Sequence, residues 1–79
     1  MNIDKALDNE DLNVRRLAIL NSNVTKEHID KALNDKNGWI RQTAIRHSKA
    51  TSEHIDKALD DREWYVRYTA IQHKNVTLE

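Results

Sequence analysis

Cysteine is absent from this 79-residue chain, so neither a disulfide framework nor a thiolate metal site can form. Proline is absent as well, and Gly38 is the single glycine, which leaves little material for long flexible linkers. Aromatic residues number four, Trp39, Trp64, Tyr65 and Tyr68, and three of them fall close together near the end of the chain. Neither sign of charge dominates, since 13 basic and 13 acidic side chains cancel. Strong non-specific binders of nucleic acid or membrane surfaces are usually basic, and this balance argues against both. Apolar runs are short, such as Leu17 to Leu20, far below the length of a membrane-spanning helix. The first residues, Met1 to Lys5, lack the apolar stretch of a signal peptide, so a cytoplasmic location is expected.

What the chain does contain is one motif three times. Ile-Asp-Lys-Ala-Leu spans residues 3–7, 29–33 and 55–59, and its starts are 26 residues apart. Aligning residues 3–28, 29–54 and 55–79 gives 12 identities over 26 positions and then 13 over 25. Chance would give about one or two, and a fixed period of this length is the signature of a repeat array. The expected organisation is a single repeat domain over residues 1–79. Leu78 departs from the repeat pattern, so residues 78–79 read as the remnant of an expression tag, although Glu79 matches Glu27 and Glu53.

Each repeat is predicted to hold two helices. Thr25 and Thr51 are natural N-caps, with first helices over roughly 26–34 and 52–60. Met1 stands where Glu27 does, so the first copy lacks the threonine cap. Glu27 and Glu53 suit the positive helix start and precede Lys31 and Lys57 by four residues, the favourable ion-pair order. Ile29, Ala32 and Leu33 recur at helical spacing on one apolar face. Polar turns follow, in which Asn9, Asp35 and Asp61 are the expected caps of second helices over roughly 10–21, 36–47 and 62–73. These helices share an aliphatic-Arg pair followed by Ala-Ile: Val14, Arg15, Ala18 and Ile19 in the first copy, Ile40, Arg41, Ala44 and Ile45 in the second, Val66, Arg67, Ala70 and Ile71 in the third. Val66 and Ala70 form one stripe, and Trp64, Tyr68 and Ile71 a second, which predicts packing on both sides. Val24, Ala50 and Val76 are expected to plug the links between repeats, and links this short make neighbouring helices antiparallel.

The segment from Asp60 to His73 resembles the acidic-turn, Val-Arg, Ala pattern of HEAT-like repeats. The short period and the following Asn75-Val76-Thr77 are most similar to the leucine-rich repeat variant branch. The resemblance covers the whole chain. It implies an all-α fold, a right-handed α-solenoid of three 26-residue two-helix repeats, and a role as an interaction scaffold. It also implies a minority alternative, because some HEAT-like members bind DNA through a basic concave face. The branch usually carries proline in the acidic turn and final link, and this chain carries none. The iron–sulfur cluster of one branch member requires cysteines, so no cofactor is expected.

Several side-chain sets are candidates for function. Arg15, Arg41 and Arg67 form a column that could grip phosphates or carboxylates, with Arg46 and Lys49 adding to a weakly basic second repeat. The competing reading pairs each arginine with a turn acid such as Asp8, Asp11, Asp35, Asp60 or Glu63, and it is favoured because acids and arginines recur together. Four histidines, His28, His54, His47 and His73, lie too far apart at equivalent positions for a zinc site without further ligands, so no metal is expected. His47 and His73 suit helix C-termini as cations. Trp39, Trp64, Tyr65 and Tyr68 either cover the end of the core or form a protein-binding surface. No nucleophile–base set or glycine-rich phosphate loop is visible, so no catalytic residue is assigned. A glycosylase-type enzyme has little support, the chain being too short to wrap a duplex. The leading expectation is a non-enzymatic scaffold that binds another protein through its second helices and aromatic C-terminal repeat, with homo-oligomers through the end faces. The alternative is a small nucleic-acid-binding domain.

Overall fold

Threonine, asparagine and aspartate side chains decide where the helices begin. A computed structural model describes the backbone of residues 2–78 and the side chains of residues 2–73. Among these residues there are six helices and no strand: α1 (Ile3–Leu7), α2 (Leu12–Ile19), α3 (Lys26–Ala32), α4 (Gly38–Arg46), α5 (Ser52–Ala58) and α6 (Trp64–Leu78). Thr25 and Thr51 cap α3 and α5, each hydroxyl accepting from the backbone N–H of His28 or His54. The imidazoles answer: Nδ1 of His28 and His54 accepts the N–H of Thr25 and Thr51 at 2.9 Å. These are capping boxes with histidine in the place usually held by Glu or Gln. Asn2 caps α1, accepting from the Lys5 N–H at 3.1 Å.

The second helix of each pair starts two residues later than its sequence pattern predicts. Asn9, Asp35 and Asp61 are not the N-caps. Each accepts the backbone N–H two residues on, from Asp11, Asn37 and Glu63, at 2.8, 2.8 and 2.9 Å. The caps of α2 and α4 are Asp11 and Asn37, which accept from Asn13 and Trp39 at 2.8 Å. Two Asx turns in series therefore consume the residues before Leu12 and Gly38. At the far end α6 runs on through Leu78, where a link was expected, and His73 lies inside a helix. Val24 is fully buried and Ala50 half-buried in their links, while the Val76 side chain lies outside the described residues.

Packing follows the alanine positions. Ala18, Ala44 and Ala70 are completely buried, which lets α2 pack on α4 and α4 on α6 at close range. Each first helix packs on its own second helix, and α1 also packs on α3. One continuous core results, with Ile19, Ile29, Ile40, Ile45, Val24 and Val66 as its largest sealed side chains. Each contributes about 1.5–3 kcal/mol of burial free energy.

The repeated pentapeptide supplies both core and seam. Ile3, Leu7, Ile29, Leu33 and Ile55 are buried. Its Asp and Lys lie mostly on the surface, and several of them tie successive pairs together. Asp30 bonds Nε2 of His54, and Asp4 lies 3.6 Å from Nε2 of His28. Since Nδ1 of each ring accepts a backbone N–H, the ring proton sits on Nε2 and points at the carboxylate. Lys31 donates to the Asp4 carbonyl at 3.1 Å and to Asp8 at 3.0 Å, and Lys57 donates to Asn34 at 3.1 Å. The Glu27–Lys31 and Glu53–Lys57 pairs are not found among the described residues, because both lysines reach back to the preceding pair.

Candidate functional site

Arginines of the column are used between helical pairs, and the acid comes from the turn of the following pair. Arg15 donates from Nε to Asp35 at 2.8 Å, and its Nη1 donates to the carbonyls of Asn9 and Glu10. Arg41 repeats the arrangement, with Nε and Nη2 on Asp61 at 2.8 and 3.0 Å and Nη1 on the Asp35 carbonyl at 2.8 Å. Both guanidinium groups are buried, so their donors face the fold and not solvent. Asp35 is among the acids expected to pair; Asp61 is not, and Asp8, Asp11, Asp60 and Glu63 do not fill the role. Burial pushes the Asp61 carboxyl up, but the hydrogen bonds from Arg41 and the Glu63 N–H, with the Arg41 charge, outweigh it and leave the carboxyl below its ordinary value. The hydrogen bond that Arg41 donates to Asp61 raises its guanidinium further.

Arg67 differs from the other two. Its Nη1 donates to the Asp61 carbonyl at 2.8 Å, matching Arg15 on Asn9 and Arg41 on Asp35. Among the described residues no carboxylate meets its Nε or Nη2, and the side chain is half-buried. Arg46 and Lys49 are exposed. Arg46 stands between two open depressions, one lined by Arg16, Leu20, Thr43 and His47, the other by Thr69, Gln72 and His73. The structure does not bring Arg46 and Lys49 together with the arginine column into one cationic patch.

The aromatics form a stack and a stripe. Trp39 and Tyr65 lie face to face with ring centroids 4.0 Å apart and 12° between planes, and Trp64 meets Tyr65 edge-on at 5.7 Å. Tyr65 reaches over Gly38: a Cβ there would lie 2.9 Å from Tyr65 Cζ and 3.0 Å from Glu63 Cγ. The one glycine thus makes room for the tyrosine, a role its sequence alignment with Leu12 and Trp64 only hints at. Trp64, Tyr68 and Ile71 were expected to pack like a second core stripe, yet all three are largely exposed. The aligned Ile19 and Ile45 are 1% and 0% accessible, against 48% for Ile71, because α4 and α6 cover the earlier ones.

Exposed large apolar side chains among the described residues are Leu17, Leu20, Trp39, Trp64, Tyr68 and Ile71. All six belong to α2, α4 or α6 or cap one of them. Those three helices contain no Asp or Glu, whereas the first helices and turns carry the acids. The second-helix surface is therefore apolar and aromatic with isolated cations.

Histidine is otherwise occupied. His47 was expected to present a cation to the end of α4; its Nδ1 instead accepts the Lys49 N–H at 3.0 Å. Among the described residues no cluster of His, Asp and Glu could hold a metal ion, and no helix is long and apolar enough to cross a membrane. Comparisons with protein-family models, curated proteins and solved structures give no match.

Proposed function

We propose that this chain is a non-enzymatic interaction module that binds another protein through the surface of its second helices and the aromatic α6. The observation that carries this reading is the confinement of every large exposed apolar side chain among the described residues to α2, α4, α6 and the C-cap of α2. Trp and Tyr are the residues that most often anchor protein interfaces, and Trp39, Trp64 and Tyr68 hold three of the six positions. Within this reading the architecture is a right-handed α-solenoid of three 26-residue repeats of the HEAT-like, leucine-rich repeat variant kind. The Arg15–Asp35 and Arg41–Asp61 clamps, spaced one repeat apart, support it. Capture from lysate on the immobilised chain tests the function, with Trp64→Ala/Tyr68→Ala as the comparison. The proposed reading requires a retained partner that is lost in the double variant and that persists as salt is raised. A retained partner indifferent to the double variant overturns it.

A second reading, a small nucleic-acid-binding domain, draws on the absence of acids from α2, α4 and α6 and on exposed Arg16, Arg46 and Lys49. Binding of that kind weakens steeply with salt and falls with Arg46→Glu, and Arg15 and Arg41 could join it only by breaking their clamps.

A further inference from the structure

Two junctions inside the molecule act as templates for a third that is open. At the first, the flank of α2 is partly covered by the following pair: Arg15 and Ile19 are buried, Leu12 is half-buried and Arg16 is left exposed, and the following turn hands Asp35 to Arg15. At the second, the flank of α4 formed by Gly38, Arg41, Gln42 and Ile45 is covered by α6, with Asp61 on Arg41 and the Thr69 hydroxyl accepting from Gln42 at 3.0 Å. The aligned flank of α6 is Trp64, Arg67, Tyr68 and Ile71, spaced i, i+3, i+4, i+7 as a helix-docking stripe requires. Its apolar members are exposed, and its arginine holds the carbonyl bond common to all three junctions without a carboxylate among the described residues.

We infer that the Trp64–Arg67–Tyr68–Ile71 flank docks a helical protein partner that presents an Asp or Glu to Arg67, and that a second copy of this chain is rejected as that partner by Asn9. The inference rests on the interaction-module reading and gives its partner a chemistry. Charge complementarity at both interior junctions supplies the carboxylate. The helical spacing supplies the shape. A nucleic acid suits the flank less well, because Arg67 is the one cation among its four residues.

Asn9 carries the argument against self-stacking. It occupies the position aligned with Asp35 and Asp61. All three use Oδ1 to accept the backbone N–H two residues on. The remaining branch is an oxygen in Asp35 and Asp61, where it accepts from arginine Nε. In Asn9 that branch is the amide NH2, so head-to-tail stacking would bring a donor against the donors of Arg67. The rest of the N-terminal flank suits the docking stripe: Asn13 is small where Trp64 needs room, and exposed Leu17 aligns with the Thr69 that meets Gln42.

The test uses this chain as its own probe. N9D/R67Q carries a carboxylate-bearing head and a blocked tail, and the wild-type chain carries the open tail and the amide head. Sedimentation velocity of the mixture is expected to show a 1:1 complex, at least about tenfold tighter than wild type mixed with R67Q. Wild type alone is expected to remain monomeric at the same concentrations. No difference between the two probes, or equal self-association of wild type, overturns the inference. Binding of a single-stranded oligonucleotide that R67Q abolishes overturns the helical partner. Should R67Q lose helix by circular dichroism, R67M, which keeps the apolar stem without the charge or the donors, replaces it. Failure here with lysate capture intact removes the carboxylate chemistry alone; a 1:1 complex without capture removes the interaction-module reading alone.

Discussion

Arg41 and Asp61 share two hydrogen bonds, 2.8 and 3.0 Å, with side chains only 5% and 11% accessible. This fork joins α4 to the turn that starts α6, and the third donor edge of Arg41 holds the Asp35 carbonyl. Asp35 in turn clamps Arg15, so the two forks are linked through one residue.

Removing the charge of Asp61 strands a buried guanidinium. Asp61→Asn keeps the Oδ1 that accepts from the Glu63 N–H and loses the fork, and is expected to cost about 3 kcal/mol or more. Arg41→Met/Asp61→Asn should recover much of that loss, because no buried charge remains unpaired. Urea unfolding of the two variants checks the order.

The same pair sets the acid limit. The folded carboxyl of Asp61 titrates below its unfolded value of about 3.9, as the Arg41 and Glu63 bonds overcome burial. Its stabilising contribution is complete above that value and is lost as pH falls through the lower folded one. Unfolding midpoints should therefore drop below roughly pH 4, and the drop should be shallower in Arg41→Met/Asp61→Asn. Equal acid limbs would contradict the assignment.

Gly38 stands at the first position of α4, where alanine normally stabilises a helix. Here Gly38→Ala forces Tyr65 off its stack on Trp39 and is expected to destabilise by about 1–3 kcal/mol. In a Tyr65→Ala background the same change should be neutral or stabilising. The sign reversal is read by thermal unfolding of the four proteins.

Histidine and threonine cap together. Thr25→Ala and Thr51→Ala should each cost about 1 kcal/mol. His54→Ala should cost more than His28→Ala, since His54 is buried and bonded to Asp30 whereas His28 lies 3.6 Å from Asp4. Denaturation of the four single variants tests that ranking.

Local features were legible in the sequence and long-range ones were not. Thr25 and Thr51 announce their helices because a cap needs only the next three residues. The same spacing held a second signal, Thr-x-x-His in two copies, whose imidazole half was missed because histidine seldom fills that role. Asp61 was not matched to Arg41, since periodicity shows that acids and arginines recur but not which turn packs against which helix. Gly38 gives no sign of Tyr65, 27 residues away. Trp64, Tyr68 and Ile71 carry a core-like period, and a period cannot say whether another helix covers it. The stripe is core-like at Ile19 and Ile45 and open at Ile71 for that reason alone.

A flank kept open for a partner contributes little to the stability of the free chain. The most direct measurement is the unfolding free energy of Trp64→Ala/Tyr68→Ala beside that of Ile45→Ala. Ile45 is sealed and should cost about 2–5 kcal/mol, while the double variant should lose no more than about 1.5 kcal/mol, chiefly the edge contact of Trp64 with Tyr65. A loss in the double variant equal to or larger than that of Ile45→Ala would show the stripe to be core and contradict a surface held for binding.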